Sequence, residues 1–254
     1  MGAVRVMPLS EAAVAQHVTE CWASGVGGSI VTANVDIVRA ATKRPELAAL
    51  IEDAEIVVAD GMPVVWAAGL AGTPVPERVT GSSLVFSLSA AAAHAGRSVY
   101  LLGGESGVPE AAAGKLVERC PGLKVVGTDS PPFGFHETEA GLSEVAIRVT
   151  RVRPDIVFVG LGFPKQEHVI RRLRETLPRT WFLGCGAGIA MAAGEFSRAP
   201  GVVQKVGAEW VHRLVLEPRR LAKRYLRDDA PFALRMLLGA LRQRITSTSG
   251  NRES

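Results

Sequence analysis

Several short segments of this chain set polar side chains beside glycine in the way that a ligand site requires. Thr32-Ala33-Asn34 carries a hydroxyl and an amide two residues apart on an extended stretch, so both can face a ligand. Asn34 can equally cap a helix that begins at Val35. Asp60-Gly61-Met62-Pro63 ends an apolar run with a carboxylate and a flexible glycine, which suits a general base or, again, a helix cap. Gly160-Leu161-Gly162-Phe163-Pro164-Lys165-Gln166-Glu167 pairs glycines that let backbone approach a phosphate or sugar with a cation at Lys165. Gln166 adds a donor and an acceptor suited to sugar hydroxyls.

Gly184-Cys185-Gly186-Ala187-Gly188 and Gly103-Gly104-Glu105-Ser106-Gly107 are further tight glycine turns, of which Gly186 and Gly103 are the candidate ligand contacts. Neither fits G-x-G-x-x-G, the dinucleotide fingerprint. In Pro76-Glu77-Arg78-Val79-Thr80-Gly81, Arg78 can clamp a diphosphate bidentately or stand as an ordinary surface arginine.

Each of these segments, apart from the Arg78 loop, follows a short apolar run. The runs lie at 29–33, 55–59, 98–102, 155–159 and 180–184, and another falls at 123–127. Nearly continuous Val/Ile-rich runs separated by helix-length stretches predict a doubly wound α/β fold with a mostly parallel sheet of about six strands. The intervening pattern predicts helices over 10–23, 35–43, 62–71, 81–95, 107–119, 138–150 and 164–176. Ser10 is placed as a cap and Pro164 at a first helical position. In such a sheet, ligands bind beyond the carboxyl ends of the strands, where the polar segments fall.

The chain divides into a core over 1–200 and a basic amphipathic helical appendage over 201–254. Residues 195–254 hold 12 Lys+Arg against 6 Asp+Glu, while residues 1–194 hold 17 against 19, so the overall +4 originates in the tail. Trp210, Leu214, Leu221 and Tyr225 can share one helical face, and Leu234, Leu237, Leu238, Leu241 and Ile245 recur at helical spacing after Pro231. Such stretches lie on an anionic membrane surface or pack as a terminal hairpin with solvated arginines. Residues 246–251 read as a frayed end.

At 254 residues, 47% hydrophobic and 21% charged, the chain can bury a full core and is not of the disordered class. It lacks an uninterrupted apolar stretch of membrane-spanning length and a secretory leader pattern. Cys21, Cys120 and Cys185 are dispersed, which argues for small apolar residues in a reducing compartment rather than a disulfide framework or zinc site. His17, His94, His136, His168 and His212 share no ligand spacing, and no D-x-D occurs.

Taken in order, Thr32-Ala33-Asn34, 59–65, 76–81, 159–167, Arg198-Ala199-Pro200 and the run from Glu209-Trp210 to Arg224-Tyr225 resemble the WecG/TagA/CpsF family of bacterial glycosyltransferases. The resemblance spans about 25–230. It implies transfer of a sugar, often N-acetylmannosamine or its uronate, from a UDP donor to a polyprenyl-diphosphate-linked saccharide at the cytoplasmic membrane face. It further implies Asp60 as catalytic base, with Thr32, Asn34, Arg78 and Gln166 around the donor. Arginines of the docked tail complete the site, with Arg213, Arg220 and Arg224 as the candidates. The family commonly carries Asp at the position of Ser83 and an acidic residue where Ala190-Met191 stands.

The expected enzyme is therefore an inverting, metal-independent glycosyltransferase without a cofactor, located in the cytoplasm and peripheral on the inner face of the membrane. It has no nucleic-acid partner, and a homo-oligomer is possible. Two alternatives are an NAD(P)-dependent oxidoreductase, which lacks its glycine fingerprint here, and a non-enzymatic module that binds anionic surfaces through the tail. The second leaves the polar strand tips without a purpose.

Overall fold

The structure is a computed structural model that describes residues 4–195 and 227–250, with side chains described to Arg244. Six strands form one all-parallel sheet: β1 (Gly28–Ala33), β2 (Ile56–Ala59), β3 (Ser98–Leu102), β4 (Lys124–Asp129), β5 (Ile156–Val159) and β6 (Trp181–Gly184). They lie in the order β2-β1-β6-β5-β3-β4. β1, β2, β5 and β6 are buried along their whole length, as expected for strands covered on both faces. Edge strand β4 alternates between exposed and half-buried residues at its start.

The helices are α1 (Glu11–Ser24), α2 (Val35–Lys43), α3 (Pro45–Glu52), α4 (Met62–Leu70), α5 (Gly81–His94), α6 (Val108–Arg119), α7 (Glu139–Val152), α8 (Lys165–Arg174), α9 (Gly188–Ala192) and α10 (Ala230–Gly250). Ser10 caps α1, accepting from the Ala13 amide at 3.1 Å. Two helices were not expected from the sequence. α3 begins at a proline and buries Leu47, Leu50 and Ile51, whereas α9 spans only five residues of a glycine-rich stretch. Pro164 is the residue before α8, following a cis Phe163–Pro164 peptide, and not its first helical position. The helix of the tail runs to Gly250, through residues read as frayed.

One face of the sheet packs Ile30, Val58, Leu101, Phe158 and Leu183 against α1, α5, α6 and α9. The other carries two separate clusters. Tyr100, Val157 and Phe182 meet α7 and α8, while Val31, Val57 and Ala59 meet α2, α3 and α4. The division falls over β1 and β6, where Ser29 and Gly184 offer no bulk.

The described part of the tail packs on the core, one of the two roles that its pattern allowed. α10 lies against α4 and α2, with Phe232 and Met236 joining the second cluster and Ala240 2% exposed. These inward residues repeat every four positions. Leu234, Leu238 and Leu241, the stripe most evident in the sequence, face outward at 60%, 50% and 43% exposure. The core–appendage boundary near 200 and the stretch from Arg198 to Tyr225 lie outside the described residues.

Candidate functional site

β1 and β6 are neighbours, yet the helices that follow them lie on opposite faces: α2 joins the Val31 cluster and α9 the Ile30 cluster. This is a topological switch, and in such a sheet the ligand crevice lies there, beyond the carboxyl edge. The Asp60 amide donates to the Ala33 carbonyl at 2.9 Å, which locks the tips of β2 and β1 together. Gly61, with φ 115°, is the residue that precedes α4 and has no side chain with which to cap it.

Loop 74–80 runs alongside. The Val79 amide donates to the Ala59 carbonyl at 2.9 Å, which holds half-buried Arg78 beside the end of β2. Thr80 then caps α5, accepting from the Ser83 amide at 3.0 Å, and the Ser83 hydroxyl returns a bond to the Thr80 carbonyl at 3.0 Å. Ser83 thereby serves the helix start. Thr32, 7% exposed, sits across from it: a Cβ built on Gly81 would be 3.2 Å from Thr32 Oγ1. Asn34 takes the capping role, with Oδ1 accepting from the Ile37 amide at 3.1 Å, which leaves its NH2 as the group it can offer a ligand.

The amides of the glycine turns are engaged within the protein. The amides of Gly103 and Gly160 continue the sheet ladder, donating to Asp129 and Leu102 carbonyls at 2.8 Å each. Those of Gly162 and Gly186 both donate to Gln166 Oε1 at 3.1 Å. The backbone N–H groups of these four glycines are therefore satisfied internally. What Gly162 and Gly186 present is open space: a Cβ at either would have no neighbour within 4 Å.

Gln166 itself is 4% exposed, and its Nε2 donates to Glu167 Oε1 at 2.9 Å. It braces the two turns from beneath. Lys165 turns toward the β4–α7 loop, with Nζ 5.0 Å from the ring centre of Phe133, a side chain 94% exposed.

Glu167 was not singled out by the sequence. It is 4% exposed, burial pushes its carboxyl up to about 7, and Oε2 has no hydrogen-bond partner among the described residues. It lines a cavity of about 430 Å³ over the β1–β6 seam with Ser29, Val31, Arg171 and Arg174. An acid in the first turn of a helix ordinarily signals an exposed dipole partner, so only the packing reveals it.

Burial also raises the thiols: Cys185 to about 12, and Cys120 and Cys21 in the same direction. Their packing as buried or half-buried apolar residues follows the sequence expectation. His168 is held below its ordinary value by burial, then by Arg171 and His136. Among the described residues no group of three His, Cys, Asp or Glu is placed to hold a metal ion, and no helix is long and apolar enough to cross a membrane. Arg213, Arg220 and Arg224 lie outside the described residues.

The fold and crevice define an α/β protein of the doubly wound class, with polar strand tips gathered at a switch point on the carboxyl edge. The family model of the Glycosyl transferase WecG/TagA/CpsF family matches residues 1–247, and the chain belongs to that family of glycosyltransferases. It is 33% identical over 196 residues to the N-acetylglucosaminyldiphosphoundecaprenol N-acetyl-beta-D-mannosaminyltransferase of Staphylococcus aureus (strain COL), covering 76% of this chain and 74% of that protein. The protein of the same name from strain MRSA252 is 32% identical over the same length.

Proposed function

We propose that this glycosyltransferase moves an N-acetylhexosamine from a UDP donor to a polyprenyl-diphosphate-linked saccharide, with inversion at the anomeric carbon. Asp60 takes the proton of the acceptor hydroxyl as that oxygen attacks; the bond from the anomeric carbon to the UDP oxygen breaks, and UDP leaves with the electron pair. Arg78 meets the departing diphosphate, whose charge its planar fork suits. Thr32 and the Asn34 NH2 contact the donor, and the open turns at Gly162 and Gly186 accept its close approach. Arg213, Arg220 and Arg224 of the tail add cations to the same diphosphate.

The observation that supports this reading is that Asp60 and the loop carrying Arg78 meet at one strand end, the Asp60 amide bound to the Ala33 carbonyl and the Val79 amide to the Ala59 carbonyl. The names of the Staphylococcus aureus relatives support the acceptor class. The membrane surface is the second partner. The outward leucines of α10, flanked by Arg235, Arg242 and Arg244, suit an anionic bilayer, and Trp66 on the neighbouring helix is 49% exposed.

The test is turnover of UDP-N-acetylmannosamine with a lipid-diphosphate-linked N-acetylglucosamine acceptor. Asp60→Asn lowers kcat by about a hundredfold or more while UDP affinity stays within about twofold of wild type. Undiminished turnover in that variant removes Asp60 from the mechanism.

A further inference from the structure

Two backbone N–H groups from different loops, Gly162 and Gly186, converge on a single side-chain atom, Gln166 Oε1. Only a carbonyl oxygen can accept both. A Gln166 amide turned by half a rotation would aim NH2 at two further donors and leave all of them without acceptors, in a place where the residue is 4% exposed. The NH2 must accordingly point the other way and find an acceptor there. Glu167 Oε1 provides it at 2.9 Å.

Space for this arrangement exists because β6 ends in glycine. A Cβ at Gly184 would stand 2.5 Å from Gln166 Nε2 and 3.1 Å from Glu167 Oε1. The second carboxylate oxygen is buried, has no hydrogen-bond partner among the described residues and contributes nothing to the bracing.

We propose that Glu167 is a positioning residue: by accepting from Gln166 it sets the direction of that amide, and so clamps the β5–α8 and β6–α9 turns to one another at the crevice. That these turns receive the donor rests on the function proposed above; the clamp itself does not. Glu167 makes no contact with substrate in this scheme. A glutamine at 167 can still present a carbonyl oxygen to Gln166, whereas leucine and alanine cannot, so the chemistry at one atom separates the variants.

The experiment is amide hydrogen exchange on the full chain, followed in peptides over 160–168 and 184–190, with a β3 peptide over 98–102 as reference. Glu167→Leu and Glu167→Ala, read in parallel in case one does not fold, speed exchange of the two turn peptides by about tenfold, the loss of one hydrogen bond's worth of protection, while the reference is unchanged. Glu167→Gln retains wild-type protection. UDP titration follows the same order, with affinity about tenfold weaker in the leucine and alanine variants and restored in the glutamine variant.

Wild-type turn protection in the alanine or leucine variant overturns the clamp, as does a glutamine variant that loosens like the others. If the turns loosen as described but wild-type protein takes up no UDP, the clamp stands and the donor assignment falls.

Discussion

Asp229, just before α10, accepts a hydrogen bond from Arg39 Nε of α2 at 3.1 Å, with the side chains only 11% and 18% exposed. Arg39 also pairs with Asp36 one turn earlier, and its guanidinium is held above its ordinary value. An ion pair this enclosed ties the end of the chain to the core in one register. Its removal leaves a guanidinium poorly solvated.

Asp229→Ala therefore costs about 2 kcal/mol of tail docking. Hydrogen exchange over 230–244 accelerates, while peptides of β5 and β6 keep their protection. Unchanged exchange across α10 would show that Phe232 and Met236 hold the helix without the pair.

The two stripes of α10 separate stability from surface binding. Replacing Leu234, Leu238 and Leu241 together by serine leaves the melting temperature within about 2 °C, because all three face outward. Binding to vesicles containing phosphatidylglycerol falls by about tenfold or more in a sedimentation assay. Phe232→Ser gives the opposite pattern, with a lowered melting temperature. Equal vesicle binding by the triple variant and the wild type would exclude this stripe as the membrane contact.

Gly184→Ala forces an atom to 2.5 Å from Gln166 Nε2, well inside contact distance. Since Gln166 is fixed by three hydrogen bonds, the strain is not relieved by a simple rotation, and about 1–3 kcal/mol of stability is lost. Urea denaturation measures it, and a midpoint equal to that of wild type would mean that the Gln166 side chain moves freely.

Glu167 makes stability depend on pH with a definite sign. Its carboxyl titrates near 4.5 in the unfolded chain and at about 7 in the fold, owing first to burial and against the opposing hydrogen bond from Gln166. Below 4.5 both states are protonated and nothing is lost. As pH rises from there to 7, the unfolded chain ionises first and is favoured, to a limit of about 3 kcal/mol above pH 7. Glu167→Gln lacks this dependence, so its stability advantage over wild type grows between pH 5 and pH 7 and then levels. Denaturation midpoints at pH 5 and pH 8 check it; an equal gap at both would refute the assignment.

Much of the carboxyl edge was legible from local pattern. Six Val/Ile-rich runs marked the strands to within two residues, because a strand buried on both faces can hardly avoid such composition. Asp60 and Thr32 stood out as polar residues ending those runs. α3 escaped notice although Pro45, Leu47 and Ile51 bore a helical signature, since it follows α2 after a single residue. Gln166 was among the candidates that the sequence singled out, but its role as a brace depends on where the amides of two distant turns arrive.

The sequence by itself determined the strands, the order of polar tips and the basic tail, all of which follow from periodicity and composition over neighbouring residues. Tertiary structure decided which groups are spent on the protein and which stay open: the amides of Gly103, Gly160, Gly162 and Gly186 are engaged internally, and Glu167 is buried. It also chose which stripe of α10 packs, setting Phe232 and Met236 inward and Leu234, Leu238 and Leu241 outward. Those outcomes rest on contacts between residues far apart in the chain, where the free energy of a polar group is set by whichever partner folding brings to it.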